Sequence, residues 1–402
     1  VTKDSGDKKR LAILGSTGSI GVSALEVVAA HPDVFRVVAL AASANVERMT
    51  EQVLRFEPEV VAMADVDAAN KLAERLTGRD VRVLAGLDGV IEAATLPSVE
   101  LMLSGIVGGI GLLPTLEALR CGIDIAFVNK EVLVLGGALV TEAAHRSGAR
   151  ILPVDSEISA IFQCLEGCSD RSRVNAVYLT ASGGPFRTTP AAEFARITPE
   201  RALKHPNWAM GSKVTVDSAT LMNKGLEIIE AKWLFELRLN QVRVVVHPQS
   251  VVHSYVEFVD GSILAQLGVP DMKVPIQYAM TYPDRLTTPT ERLDLTRIGT
   301  LTFEEPDVER FPCLSLAYEA ARIGGTMPAV LSGADEVAVN AFLNERLPFE
   351  GIPTLVAETM RRHDVSIRPT LDDVLAADRW ARDTAQTLVS STTRLLPEHR
   401  QH

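Results

Sequence analysis

The stretch Leu11-Ala12-Ile13-Leu14-Gly15-Ser16-Thr17-Gly18-Ser19-Ile20-Gly21 decides the fold. Four apolar residues read as a short buried strand, and the glycines after them mark a tight turn. Val22, Leu25, Val28 and Ala29 then recur at helical spacing. Strand, glycine-rich turn and helix in that order form the context of a phosphate-cradling dinucleotide site. Glycines let the backbone approach a pyrophosphate, and amides at the helix N-terminus bind it. The spacing is G-x-x-G-x-x-G rather than the commoner G-x-G-x-x-G.

Working outward, the next strand, 35–41, ends in Ala42-Ser43-Ala44-Asn45. An enzyme using NAD usually places Asp or Glu there to hold the ribose hydroxyls. No acid occurs before Glu47, and small polar groups with Arg48 are left to meet a 2′-phosphate, which favours NADP(H). Short apolar runs at 60–64, 81–84, 99–103 and 123–128 alternate with helical segments, the texture of a parallel sheet covered on both faces. Ser104-Gly105-Ile106-Val107-Gly108-Gly109 reads as a loop beside the cofactor, and Asn129-Lys130-Glu131 follows the strand end at Val128. Lys130 and Glu131 also suit an ordinary helix start.

Past Arg150 the texture changes. In Val154-Asp155-Ser156-Glu157 the two acids stand two apart, so a strand ending at 154 would point both carboxylates to one side. Carboxylates that close repel unless a cation or a shared proton lies between them. Asn223, Lys224 and Glu227 fall at i, i+1 and i+4 of a second, helical stretch. Three carboxylates without histidine or cysteine suit a hard divalent cation, Mg²⁺ or Mn²⁺, rather than zinc. A bare D-x-E is more often a solvated strand end; its neighbours decide here. Tyr178 to Phe186 is a strand running into a Gly-Gly-Pro turn, offering the Ser182 hydroxyl and free amides to an anion. His205-Pro206-Asn207-Trp208-Ala209-Met210-Gly211, broken by proline and glycine, reads as a lid. Residues 214–220 lead into a helix over about 221–235, with Asp217 or Ser218 as its N-cap. Residues 242–247, 254–259 and 262–267 read as antiparallel strands, the last two joined at Asp260-Gly261. His247 and His253, at strand ends, are taken as structural.

At 402 residues, 47% hydrophobic and 23% charged, the chain has ample material for two or three domains. A net charge of −11 argues against general affinity for nucleic acid or anionic membranes, so an anionic ligand needs a local cluster of donors. The longest apolar run, 101–116, is interrupted by several glycines and a proline, and no membrane span is expected. The polar start lacks the apolar core of a signal peptide, which reads as cytoplasmic. Four cysteines make no disulfide scaffold at this size, and Cys164 and Cys168, four apart on an expected helix, read as buried thiols.

Several of these motifs, in this order, resemble the signature set of the 1-deoxy-D-xylulose 5-phosphate reductoisomerase family. They are Gly15 to Gly21, Asn129-Lys130-Glu131, Pro153 to Glu157, Ala181 to Phe186, His205 to Trp208 and Asp217 to Glu227. His247-Pro248-Gln249-Ser250 and Leu264 to Gly268 fit it too. The resemblance implies that Asp155, Glu157 and Glu227 bind one Mg²⁺ or Mn²⁺ ion per subunit. It implies that Lys130, Ser156 and Glu157 hold the carbonyl and hydroxyl end of a small phosphorylated sugar. Ser182, Ser218, Asn223 and Lys224 would bind its phosphate, with His205 on the lid beside Trp208. Gly15, Thr17, Gly18, Ser19, Ile20, Ala42, Ser43, Asn45, Asn129, Glu131 and Gly211 would line an NADPH site. A homodimer is also implied, with the central sheet at its interface. Two positions depart from the family's common pattern: Ser43-Ala44 stands where Gly-Lys is usual, and Ile158-Ser159 where His-Asn is usual.

The expected architecture is α/β in three parts. Residues 1–150 form a Rossmann-like parallel sheet for NADPH, 151–286 a central α+β catalytic domain, and 313–402 a C-terminal helical domain after a linker at 287–312. Four helices are expected in the last part, at 314–323, 328–344, 352–363 and 371–388. The implied reaction converts 1-deoxy-D-xylulose 5-phosphate to 2-C-methyl-D-erythritol 4-phosphate, committing carbon to the non-mevalonate isoprenoid pathway. Two other readings compete. A semialdehyde dehydrogenase shares a similar glycine-rich turn but needs a nucleophilic cysteine in a loop ahead of a helix. A cofactor-sensing regulator would need neither the three acids nor the lysine.

Overall fold

Leu11 to Leu14 are almost wholly buried, and burying each of the three larger side chains, Leu11, Ile13 and Leu14, is worth about 1.5–3 kcal/mol. That run forms the centre of the first sheet. The computed structural model describes residues 8–208, 210–288 and 290–393. Within them the chain makes two compact units. The first holds the residues up to Val132 with Ala138–Ser159 and Asp271–Glu291; the second holds Leu133–Gly137, Ala160–Pro270 and the chain from Arg292 on.

In the first unit β1 (Lys9–Leu14), β2 (Phe35–Ala42), β3 (Val60–Met63), β4 (Arg82–Ala85), β5 (Leu101–Ser104), β6 (Asp124–Phe127) and β7 (Ile151–Pro153) form one sheet. Every pairing is parallel, in the order β4-β3-β2-β1-β5-β6-β7. The intervening helices are α1 (Ser19–Ala30), α2 (Val46–Phe56), α3 (Val66–Arg75), α4 (Gly86–Ala94), α5 (Leu112–Arg120) and α6 (Lys130–Ser147), with α7 (Ser156–Cys164) after β7. β2 and β5 flank β1, so the strand order reverses there, and the carboxyl ends of such strands frame the usual ligand crevice of an open α/β sheet. β7 pairs with β6 from Ile125↔Ile151 to Phe127↔Pro153 and so completes this sheet, past the boundary expected at residue 150.

The second unit carries β8 (Val174–Ala181), β9 (Val242–Val246), β10 (Val252–Phe258) and β11 (Ile263–Leu267) in the order β11-β10-β8-β9. The hairpin of β10 and β11 is antiparallel as expected, its turn closed by Ser262 donating to Asp260 Oδ1 from Oγ at 2.6 Å and from N at 3.0 Å. β9, read as antiparallel, is instead parallel to β8. The long helical crossover between them returns the chain in the same direction, which a hairpin cannot do.

That crossover contains α8 (Pro199–Ala202), α9 (Ser212–Thr220) and α10 (Met222–Leu234). Residues 214–220 are thus themselves helical, and neither Asp217 nor Ser218 caps the following helix. Asp217 is tied to Lys213 one turn earlier at 2.7 Å, and Leu221, with φ +62°, makes the corner between the two helices. The helix over 273–281, α11 (Lys273–Thr281), belongs to the first unit, where Lys9 Nζ donates to Met280 O at 2.7 Å. The stretch expected as a linker contains α12 (Leu295–Ile298), and Glu304 exchanges backbone hydrogen bonds with Val246 of β9. The four C-terminal helices appear where the periodicity places them: α13 (Cys313–Ile323), α14 (Met327–Leu343), α15 (Gly351–Arg361) and α16 (Leu371–Thr393).

All four cysteines are free. Cys164 is buried, but Cys168 lies beyond the end of α7 and is only half-buried, because the helix stops at Cys164 rather than running on. No helix among the described residues is long and apolar enough to cross a membrane.

Candidate active site

The nucleotide cradle is built by close packing. At Gly15, φ is +76° and a Cβ would lie 2.4 Å from Gly105 O, so only glycine fits where the turn crosses the loop after β5. A Cβ at Gly21 would meet Gly15 O at 2.3 Å, which lets α1 sit directly under the turn. Gly18 is the N-cap of α1 and brings no capping side chain, so the positive end of the helix faces the turn. Thr17 and Ile20 are half-buried around it, while Gly18 and Ser19 are exposed.

At the end of β2, Ala42 is buried and Ser43, Ala44 and Asn45 are exposed. Asn45 caps α2 by accepting from Arg48 N at 3.0 Å, and Arg48 Nη1 donates to Thr17 O at 3.0 Å. The exposed guanidinium is thus drawn over the glycine-rich turn, a placement that suits the 2′-phosphate reading. Asn129, buried at the N-terminus of α6, donates to Gly108 O at 2.8 Å. Its Oδ1 is buried without a hydrogen-bond partner among the described residues. Glu131, next but one, is buried in the same helix turn.

Lys130 and Asp155 follow the adjacent strands β6 and β7. Lys130 Nζ donates to Asp155 Oδ2 at 2.7 Å, with the two side chains 10% and 11% exposed. The strand-period argument for Asp155 and Glu157 does not hold, because the strand stops at Pro153. Asp155 instead caps α7, its Oδ1 accepting from the backbone of Glu157 at 3.1 Å and Ile158 at 3.4 Å. Glu157 lies in the first helical turn, where the helix dipole favours a carboxylate, and accepts from Ser156 Oγ at 2.8 Å. Ile158 and Ser159 are buried.

In the second unit, Ser182 directly follows β8, and its turn presses on α9: a Cβ at Gly184 would lie 2.7 Å from Ser218 O. His205 Nδ1 accepts from the backbone N–H of Trp208 at 2.9 Å and of Asn207 at 3.2 Å, so its proton sits on Nε2. Nε2 therefore donates to Ser182 Oγ at 3.0 Å, and Gly184 N donates to the same oxygen at 3.1 Å. Two donors on one hydroxyl oxygen leave its own hydrogen pointing to a further acceptor. Burial, helped by the charge of Lys224, lowers the His205 pKa to about 4, which keeps the ring neutral.

Asn207, a residue the sequence reading left without a role, fixes this segment by donating from Nδ2 to Pro248 O and Ser250 Oγ, both at 2.8 Å. Trp208 is half-buried, its ring 6.2 Å from that of His253; Ala209 of the expected lid lies outside the described residues. Gly211 caps the start of α9. On α10, Asn223 Nδ2 and Lys224 Nζ hold the two oxygens of Glu227 at 2.6 and 2.5 Å. His247 is structural as expected: its ring is buried, exchanging hydrogen bonds with Thr302 O and Val251 N.

Among the described residues, Asp155, Glu157 and Glu227 are the acidic set able to hold a metal ion. All three offer hard oxygen donors, and the chemistry fits magnesium or manganese. The cysteines offer no rival nucleophile. Cys121 closes the C-terminal end of α5, and burial pushes the Cys164 thiol up to about 11 and Cys313 well above its usual value.

A glycine-rich dinucleotide cradle and an acidic set suited to a hard cation define the class: a metal-assisted, nicotinamide-dependent oxidoreductase. The descriptions of known families narrow it. The family described as 1-deoxy-D-xylulose 5-phosphate reductoisomerase matches residues 11–137, its C-terminal domain 151–235, and the DXP reductoisomerase C-terminal domain 267–384. Relatives of that name are 55% identical in Symbiobacterium thermophilum, over 94% of this chain and 98% of the relative, and 50% identical in Trichlorobacter lovleyi, over 95% and 98%. A solved reductoisomerase from Zymomonas mobilis in complex with NADPH is 44% identical, covering 96% of this chain and 100% of its own, with a TM-score of 0.90. Another, in complex with NADPH, fosmidomycin and magnesium, is 40% identical over 96% and 99%, also with a TM-score of 0.90. The chain belongs to the 1-deoxy-D-xylulose 5-phosphate reductoisomerase family.

Proposed function

We propose that this chain converts 1-deoxy-D-xylulose 5-phosphate to 2-C-methyl-D-erythritol 4-phosphate, using NADPH and one divalent ion, Mg²⁺ or Mn²⁺, per subunit. The observation that carries this reading is the acidic set of Asp155, Glu157 and Glu227, alongside a lysine at Asp155 and the donors at Ser182. The relatives solved with NADPH, magnesium and fosmidomycin support it. The step commits carbon to the non-mevalonate isoprenoid route.

The chain's own groups divide the work. When bound, the ion polarises the ketone and steadies negative charge on the substrate oxygens, and NADPH supplies a hydride. Asp155, Glu157 and Glu227 hold the ion. Lys130 and Ser156 orient the carbonyl and hydroxyl end and offer protons to oxygens on which charge develops. Skeletal rearrangement to an aldehyde is redox-neutral; hydride and one proton then give the alcohol. Ser182, Ser218, Asn223 and Lys224 take the phosphate, remote from the reacting carbons, so that their binding energy serves orientation. Asn129 Oδ1, the glycine-rich turn and Arg48 would receive the cofactor, with Arg48 at its 2′-phosphate.

The same reading includes a cytoplasmic homodimer. Edge strand β11 exposes Ile263 at 56% and Leu264 at 52%, and Val259 before it is 61% exposed. Exposed apolar residues along an unpaired strand edge suit pairing with a second copy. Free thiols suit a reducing compartment. The deciding experiment follows NADPH absorbance with 1-deoxy-D-xylulose 5-phosphate, with and without EDTA. Turnover that needs both substrate and metal is expected; NADPH binding without any metal-dependent consumption would favour the sensing alternative.

A further inference from the structure

Lys213 forms a bridge between two helices of the second unit. Its Nζ lies 2.7 Å from Asp217 Oδ2 on its own helix α9 and 3.1 Å from Asp335 Oδ2 on α14. The side chains of Lys213, Asp217 and Asp335 are 15%, 2% and 0% exposed. Burying an ion bridge rarely adds net stability over an apolar contact, but it fixes geometry and is costly to break on one side. Cys313, the first residue of α13, is linked to Thr220 at the end of α9, and its buried thiol feels the charges of both aspartates. Glu336 beside Asp335 is in turn bound by Arg382 of α16 at 2.8 Å. Helices α13 and α14 thus meet the flank of α9, and α16 braces α14 from its far side.

The position of that helix matters to the site. Ser218 follows Asp217 directly, and its carbonyl is the atom against which the Gly184 turn packs. The next helix is seated as closely: a Cβ at Gly225 would lie 2.4 Å from Ala317 Cβ of α13. We infer that Lys213 and Asp335 are positioning residues for the phosphate end of the site, the buried bridge to α14 setting where α9 presents Ser218. This rests on the proposed assignment of Ser218 to the substrate phosphate. It gives α14 a part in substrate binding that acts through Ser218.

A double-mutant cycle in the intact enzyme tests it. Asp335→Ala should raise the KM for 1-deoxy-D-xylulose 5-phosphate by about tenfold, the scale of couplings carried through packed networks, while the Kd for NADPH stays unchanged. In a Ser218→Ala background the same substitution should change KM by less than about twofold, since residues acting as a unit are not additive. Asp335→Asn keeps an acceptor for Lys213 and should restore KM to near wild type. If Asp335→Ala does not fold, Asp335→Ser, polar but too short to reach the ammonium, carries the same expectations. Full additivity with Ser218→Ala, or a wild-type KM in the folded variant, would overturn the inference. A wild-type enzyme without turnover of this substrate would instead sink the functional reading, so the two failures are distinct.

Discussion

Lys224 Nζ lies 2.5 Å from Glu227 Oε2, while Asn223 Nδ2 donates to Oε1 at 2.6 Å. Two of the four groups assigned to the substrate phosphate thus hold the carboxylate assigned to the metal. Arrival of a cation and an anion would exchange these partners, Glu227 turning to the ion and Lys224 with Asn223 to the phosphate. Lys224→Ala should therefore weaken substrate binding by roughly ten- to a hundredfold, the loss of a charge-assisted hydrogen bond of about 1.5–3 kcal/mol. The same variant should bind Mn²⁺ as tightly as wild type or more so, because Glu227 loses a competitor. A Mn²⁺ titration followed by electron paramagnetic resonance decides this; manganese affinity falling in step with substrate affinity would reject the exchange.

Asp155→Asn and Glu227→Gln each remove one hard ligand without changing shape. Turnover should be abolished in both, with the NADPH Kd within about twofold of wild type, as expected for changes outside the cofactor's contacts. Steady-state rates beside fluorescence titration of NADPH supply the check. Near-normal turnover in either variant would remove that residue from the metal set.

His205 should stay neutral well into the acid range. Its folded pKa of about 4 lies below the usual 6.5. Above 6.5 the ring is neutral folded or unfolded, and nothing is gained or lost. As pH falls from 6.5 towards 4 the unfolded chain takes up a proton that the folded one refuses, so stability declines across that window. Protonation would also end the acceptor role of Nδ1 and free the segment holding Asn207 and Trp208. Imidazole carbon shifts in selectively labelled protein should show an Nε2–H tautomer at pH 7 and no titration above pH 5. A midpoint near 6.5 would discard the proton order assigned at Ser182.

Trp208 is half-buried, 6.2 Å from the ring of His253, and the proposed lid gives it a ligand to cover. Trp208→Ala should impair turnover strongly while costing well under the roughly 3–5 kcal/mol of a core tryptophan. A thermal scan run beside rate measurements separates these; a melting point lowered by many degrees would make the residue structural.

On the edge strand, Leu264→Lys should prevent self-association without unfolding the sheet, since Leu264 is 52% exposed. Sedimentation of wild type as a dimer and of the variant as a monomer is the expected outcome. Identical sedimentation of the two would move the interface elsewhere.

How far these features were legible in the sequence depends on how local their causes are. The glycine-rich turn and the four C-terminal helices follow from neighbouring residues, since backbone approach and helical period are properties of a short window. The carboxylate pair was recognised through a geometry it does not adopt: Pro153 ends the strand, and Asp155 acts through a cap that the same letters could equally have spelled. Asp217 was read as a cap because Asp before an apolar helix usually is one. Its true partner on one side, Lys213, was visible at i,i+4 spacing. Its neighbour across the bridge, Asp335, sits in an apolar helix far along the chain, and nothing local announces it. The direction of β9 likewise depends on where a distant crossover returns.

The bridge from Lys213 to Asp335 and the seat of Gly225 on Ala317 also bear on how the enzyme is made. The helices that carry Ser218 and Glu227 leave the ribosome well before α13 and α14 exist, and domains generally fold as units during synthesis. The first unit waits too, because Lys9 and His31 take partners from the stretch 277–287. A nascent chain stopped before α14 would hold a completed first sheet yet lack the support that seats α9 and α10. Competence should therefore arrive late, when α14 closes against α9, and chains terminated before it should be inert even where every residue assigned to substrate has been translated.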